Sequence, residues 1–202
     1  KNPTQIFRNL LPAFDSFSLI FTNQNDLQSI KIALAAQSFL ISILHSVKVL
    51  ESFIPWILNM IDSLSPSQVL SFTFILESLF HTKKVKDVLM ILLIKNCFPF
   101  RVVKLFKIEV QEQIRQIYKE NIFNLLFRFF TKLNKLNNTH KVILYDEIIT
   151  YQNASKQAER MFSPNITILP SRIKPLNLLP YIKNDEIIEF INNINRSRSF
   201  WL

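Results

Sequence analysis

Ser65-Pro66-Ser67-Gln68-Val69-Leu70-Ser71-Phe72-Thr73-Phe74-Ile75-Leu76-Glu77-Ser78-Leu79-Phe80 carries the clearest helix signals in the chain. Ser65 stands where an N-cap is needed, and Pro66 falls in the first turn, where a missing N–H costs nothing. Gln68, three residues after the serine, completes a capping box. Val69, Phe72, Leu76, Leu79 and Phe80 then recur at helical spacing.

The same periodicity extends on both sides. Residues 3–14 predict a short helix with Phe7, Leu10, Leu11 and Phe14 on one face. Residues 25–47 predict a longer one, opening at Asn25 with Gln28 as the second half of a capping box. It carries Leu27, Ile30, Leu34 and Ile41 on one side and Ile32, Ala36, Phe39 and Ile43 on another, the pattern of a helix sandwiched between neighbours. Residues 49–63 follow with Phe53, Trp56, Ile57, Met60 and Ile61, and with Pro55 placed to kink them. Residues 84–96 add Val85, Val88, Leu89, Leu92 and Leu93.

Among 202 residues there is no glycine. That excludes glycine-rich phosphate loops and dinucleotide fingerprints, and it removes the residue that tight hairpins favour. Helices joined by Asn, Ser and Pro connectors remain. The predicted fold is therefore all-α, a HEAT-like helical-repeat solenoid of antiparallel helix pairs over residues 1–162, with a closed bundle as the alternative. Residues 141–162 predict the last helix of that array. In 163–202, Pro164, Pro170, Pro175 and Pro180 divide the chain, and Asn184 is placed to cap a last short helix through Ile194. The chain begins at Lys1 and ends on Trp201-Leu202, which reads as a fragment continuing at both ends.

The net charge of +9 is unevenly placed. Between Lys83 and Lys141 there are thirteen Lys and Arg against four acids, while the remainder holds eleven of each. The centre of this segment is 98–108, Phe98-Pro99-Phe100-Arg101-Val102-Val103-Lys104-Leu105-Phe106-Lys107-Ile108. As a helix starting at Pro99, it gathers Val102, Leu105 and Phe106 on one face and Arg101, Lys104 and Lys107 on the opposite arc. A basic patch attracts phosphate backbones, anionic lipid or acidic proteins. The candidate partner- or DNA-facing residues are Lys83, Lys84, Lys86, Arg101, Lys104, Lys107, Arg115, Lys119, Arg128 and Lys132. In the long helix predicted over 109–136, Arg115 with Lys119 and Arg128 with Lys132 are like charges at i, i+4, which calls for acidic neighbours.

Candidate chemistry is sparse. Cys97, the single cysteine, lies in an apolar run and reads as a buried structural thiol. His45, His81 and His140 are far apart and without ligand spacing, so neither a metal nor a cofactor is expected. Asp146 with Glu147, and Asp185 with Glu186 and Glu189, read as charged helix ends rather than as a general acid and base. The longest uncharged run, 32–47, is too short and too polar for a bilayer span. A binding scaffold without enzymatic activity or a small-molecule ligand is the expectation.

Trp56-Ile57-Leu58-Asn59-Met60-Ile61-Asp62, then Leu92-Leu93-Ile94, then Pro99-Phe100-Arg101-Val102 with Lys104-Leu105, and finally Ile117-Tyr118-Lys119 form a succession that resembles the centromere protein I family of inner-kinetochore subunits. The resemblance covers about 56–126, and Pro-Phe-Arg-Val is its best-marked element. It departs at Phe98 and Val103, where the family places basic residues, so the motif's positive charge carries over only to Arg101 and Lys104. The resemblance implies a nuclear, non-enzymatic α-solenoid subunit of the constitutive centromere-associated network, assembled with homologues of centromere proteins H and K and close to centromeric nucleosome and DNA. A helical nucleic-acid-binding or ribosome-assembly factor and a membrane-trafficking adaptor are the alternatives that the basic segment alone allows.

Overall fold

The computed structural model describes residues 3–134 together with Asp185, Glu186, Ile188 and Glu189. The described residues contain helices and no strand. The helices are α1 (Pro3–Asp15), α2 (Leu19–Thr22), α3 (Leu27–Ile43), α4 (Val47–Met60), α5 (Pro66–Phe80), α6 (Lys86–Lys95), α7 (Phe98–Val103) and α8 (Glu112–Asn134). Short 3-10 turns at Ser16–Ser18, Ile61–Ser63 and Lys104–Lys107 join some of them. The helix expected over 141–162 lies outside the described residues, as does the proline-divided stretch 163–202 apart from those four positions.

Helix α5 sits at the centre, in contact with α1, α3, α6 and α8. Twelve of its fifteen residues are buried, polar Ser67, Ser71, Thr73 and Glu77 among them. Its start is built as the sequence predicts. Gln68 N–H donates to Ser65 Oγ at 3.2 Å, and Ser65 N–H donates to Gln68 Oε1 at 3.1 Å. The same end is tied to α1, because Ser67 Oγ donates to Phe14 O at 2.7 Å and Ser65 Oγ to Asp15 Oδ1 at 2.7 Å. Burial of Val69, Leu70, Ile75, Leu76 and Leu79 supplies the main driving force, roughly 1.5–3 kcal/mol for each such side chain. Leu76 is fully buried, and Leu76→Ala would open a cavity there, a loss of about 2–5 kcal/mol.

In a stack of helical pairs, contacts run between neighbouring repeats. Here α1 reaches α5, and α2 reaches α8, so the described helices wrap around one central member. What the structure establishes is the all-α class.

Three local readings are corrected. Helix α3 is capped by Asp26, whose Oδ1 accepts from Ser29 N–H at 3.3 Å, in place of the expected Asn25 with Gln28. A carboxylate one residue nearer the helix reaches the free N–H groups that the asparagine would have to span. The second apolar side of α3 is not sandwiched: Ile32 is 54% exposed and Phe39 52%. The stretch 98–108 is not one helix either, since α7 ends at Val103 and tightens into a 3-10 turn, after which Ile108 is extended. Its apolar face survives the change. Val102 and Leu105 are buried and Phe106 is partly so.

Candidate functional site

The segments that carry the family resemblance meet in space where α4, α7 and α8 join. Arg101 Nη1 donates to Leu58 O at 2.8 Å, which ties α7 to the last turn of α4. Lys104 Nζ lies 3.7 Å from Asp62 Oδ2, and Tyr118 Oη donates to Leu105 O at 3.3 Å. Phe98 packs against Phe129 with ring centroids 5.1 Å apart. Burial pushes the Tyr118 phenol far above its usual range, so it stays a donor across the physiological range. The Pro-Phe-Arg-Val element is thus a structural junction first, and its arginine is already committed to a backbone carbonyl.

Cys97 enables that junction and corrects the buried-thiol reading. It is exposed and holds φ 53° and ψ 43°, the left-handed conformation that ends α6 and turns the chain into α7. Glycine would be the usual residue there, and asparagine the next choice. Asn96 lies one position too early. A non-glycine residue in this region stores roughly 1–2 kcal/mol of strain.

The remaining cations divide into two neighbourhoods. Lys83 and Lys84 are exposed and Lys86 half-buried on the connection from α5 to α6. There α5 meets the second half of α8 through a charge cluster centred on buried Glu77. Arg128 Nε lies 2.6 Å from Glu77 Oε1, with side-chain exposures of 15% and 9%. His81 Nε2 is 3.2 Å from the same oxygen and 3.4 Å from Arg128 Nη1. Burial pushes the Glu77 carboxyl above its ordinary 4.5, although Arg128, His81 and Lys132 all pull it down. This is the acid that the like-charged pair Arg128 and Lys132 called for. Its signal in the sequence was Glu77 as the one charged residue of a largely apolar helix.

The second neighbourhood lies between the 3-10 turn and the start of α8. An open groove of about 600 Å³ is lined by Phe106, Ile108 and Val110 and by Glu109, Arg115 and Lys119. Arg115 forms an ion pair with Glu112, one turn away, which offsets the repulsion from Lys119. Lys107 and Lys119 are exposed. Of the ten candidate residues, then, Arg101 and Arg128 are built into the fold. Lys83, Lys84, Lys104, Lys107 and Lys119 face solvent, Arg115 does so while paired, and Lys86 and Lys132 are half-buried.

No group of His, Cys, Asp or Glu among the described residues is arranged to hold a metal ion, and no described helix is long and apolar enough to cross a membrane. Sequence reasoning passed over one polar side chain of note. Gln37 of α3 is fully buried with neither its oxygen nor its nitrogen hydrogen-bonded to a described group. No protein-family profile, curated protein or solved structure matches the chain.

Proposed function

We propose that the chain is a non-enzymatic scaffold subunit of the inner kinetochore, resembling centromere protein I, whose helices gather around the central α5. It holds partner subunits on its apolar helix faces and lies near centromeric nucleosome or DNA in the nucleus. What supports this reading most is the stitching of the motif-bearing segments: Arg101 to Leu58, Lys104 to Asp62 and Tyr118 to Leu105 join stretches that the resemblance had quoted separately. A motif that closes a junction between helices is what a scaffold must preserve.

The test is capture of centromere protein H and K homologues by the folded chain. A clean negative with protein whose circular dichroism is helical sinks the reading. The nucleic-acid reading is favoured by one observation, the exposure of Lys83, Lys84, Lys107 and Lys119. Duplex binding measured across a salt series separates the two, because phosphate neutralisation makes affinity fall steeply with salt.

A further inference from the structure

At the end of α5 one imidazole nitrogen is offered two incompatible partners. His81 Nε2 lies 3.2 Å from Glu77 Oε1, which accepts when ionised, and 3.4 Å from Arg128 Nη1, which can only donate. A bare Nε2 accepts from Arg128 and faces the carboxylate lone pair to lone pair. An Nε2 that carries hydrogen donates to Glu77 and sets N–H against N–H at Arg128. The protonation of the ring therefore decides whether His81 is joined to α8 or to its own helix.

Glu77 is contested in the same way. Arg128 Nε comes within 2.6 Å of Oε1, yet its N–H has no hydrogen-bond acceptor among the described residues, so the pair rests on charge and not on a directed bond. An imidazolium one turn away on α5 reaches the same oxygen with a directed N–H. The Glu77 side chain is only 9% exposed, and an ionised carboxyl at that depth needs a counter-ion.

The other charges nearby are few. Lys132 of α8 also acts on Glu77, and Lys83 and Lys84 follow His81 on the connection to α6. Among the described residues α1, α3 and α6 contribute no ion pair to Glu77 or His81. His45, on the connection from α3 to α4, reaches the same end of α5, its Nε2 lying 3.3 Å from Thr82 Oγ1. Thr82 gives its one hydroxyl hydrogen to Ser78 O at 3.2 Å, so His45 Nε2–H is the donor, and a second proton on that ring leaves the contact intact. The corner thus holds one histidine whose contacts depend on its charge and one whose contact with Thr82 does not.

We propose that His81 is a proton-operated latch on α8. A solvent proton added to Nε2 turns the ring from an acceptor for Arg128 into a charged donor to Glu77. The imidazolium then replaces the guanidinium as the counter-ion of Glu77, and the second half of α8 loosens from α5. When α8 lifts, Glu77 and His81 stay together on α5, so release with the ring protonated leaves no carboxylate unpaired, whereas release with the ring neutral does. Histidine is the side chain that ordinarily gains a proton between about pH 8 and pH 5, so the hold on α8 is firm above that range and weakens as pH falls through it. The inference stands apart from the identity of any partner.

Hydrogen exchange of the full chain tests it, read at the amides of 121–133 and corrected for the intrinsic pH dependence of exchange. Between about pH 7.5 and about pH 5.5 the corrected exchange is expected to rise about three- to fivefold, the size of one partly exposed ion pair. His81→Gln, whose side-chain carbonyl accepts from Arg128 at every pH, keeps slow exchange throughout. His81→Lys, charged at every pH, exchanges fast at both ends. The His81 side chain is 54% exposed, so both variants fold. His45→Gln retains the response of the parent chain. Exchange that is unchanged or slower at the acid end overturns the proposal. A response that survives in His81→Gln assigns the gate to the proton of Glu77 itself, or to His45 where His45→Gln abolishes it, and overturns the proposal as well.

Discussion

Replacing Arg101 by alanine separates the two readings of the basic segment. If Arg101 belonged to a solvated face, its removal would cost nothing in stability and would weaken a partner. In the structure its guanidinium donates to Leu58 O at 2.8 Å, in the last turn of α4, where the helix carbonyls carry partial negative charge. A hydrogen bond from a charged donor contributes about 1.5–3 kcal/mol, and because Arg101 is only half-buried the lower part of that range applies, about 1–2 kcal/mol. For a chain of this size that corresponds to a fall of roughly 2–8 °C in melting temperature. Arg101→Glu costs more, because it sets a negative charge against the negative end of the helix. Lys107→Glu, at an exposed position, changes stability by no more than about 0.5 kcal/mol. Thermal melts followed by circular dichroism, with urea titrations beside them, read all three. Arg101→Lys restores the charge without the planar fork and recovers only part of the loss. The reasoning is refuted if Arg101→Ala melts with the parent chain, or if Lys107→Glu is as damaging as Arg101→Glu.

Gln37→Met keeps the side-chain volume and removes two buried polar atoms that no described group satisfies, so it raises the urea midpoint by an amount equivalent to about 1–3 kcal/mol; an unchanged or lower midpoint counts against that accounting. Cys97→Gly relieves the left-handed strain and stabilises by about 1 kcal/mol, whereas a β-branched valine there destabilises, with calorimetric melts as the readout. For Glu77 the native pKa lies above the unfolded one, so the native state holds its proton longer and this group's contribution is fully present below pH 4.5 and declines as pH rises through the elevated native value. Glu77→Gln is therefore expected to flatten the stability–pH curve on the alkaline side of pH 4.5 in a urea series at stepped pH, and a curve with unaltered slope contradicts it. If the exposed lysines at 83, 84, 107 and 119 each neutralise one duplex phosphate, log affinity falls with log salt at a slope of about −3 to −4, and each Lys→Ala makes that slope shallower by about one.

The helices were legible because their local signals were redundant. Around Ser65 a cap, a first-turn proline and a 3.6-residue apolar period all agree, and the structure keeps every one. Where signals were single, they misled. Asn25 with Gln28 matched a capping pattern, yet Asp26 lay one residue nearer the helix and took the role. The second apolar side of α3 was legible as apolar but not as uncovered, since periodicity reports which residues share a face and is silent on what lies against it. Cys97 was placed by its neighbours' hydropathy, whereas the chain reversal between α6 and α7, with no glycine to make it, set its backbone and its exposure. The packing of helices around α5 depends on contacts between segments distant in sequence, and no local pattern encodes those.

The cations divide by side-chain chemistry more than by position. Arg101, Arg115 and Arg128 each meet an oxygen of the protein, while Lys83, Lys84, Lys107 and Lys119 stand in solvent and Lys104 holds Asp62 only across 3.7 Å. A guanidinium is weakly hydrated and presents a planar fork that a carbonyl or carboxylate can fill, so taking it partly out of water costs less than it does for a compact, strongly hydrated ammonium. Arg128 could therefore be placed beside buried Glu77, and Arg101 against the end of α4, where lysine would have lost more hydration than it regained. The excess positive charge of the middle segment is in this way two populations with two uses. Arg101 and Arg128 close junctions between helices, Arg115 pairs within α8, and the lysines are what an approaching phosphate or acidic surface meets. A charge-reversal experiment that mixes the two kinds, as Arg101 with Lys104 and Lys107 would, confounds unfolding with lost binding. Reversing Lys83, Lys84, Lys107 and Lys119 together tests the surface alone.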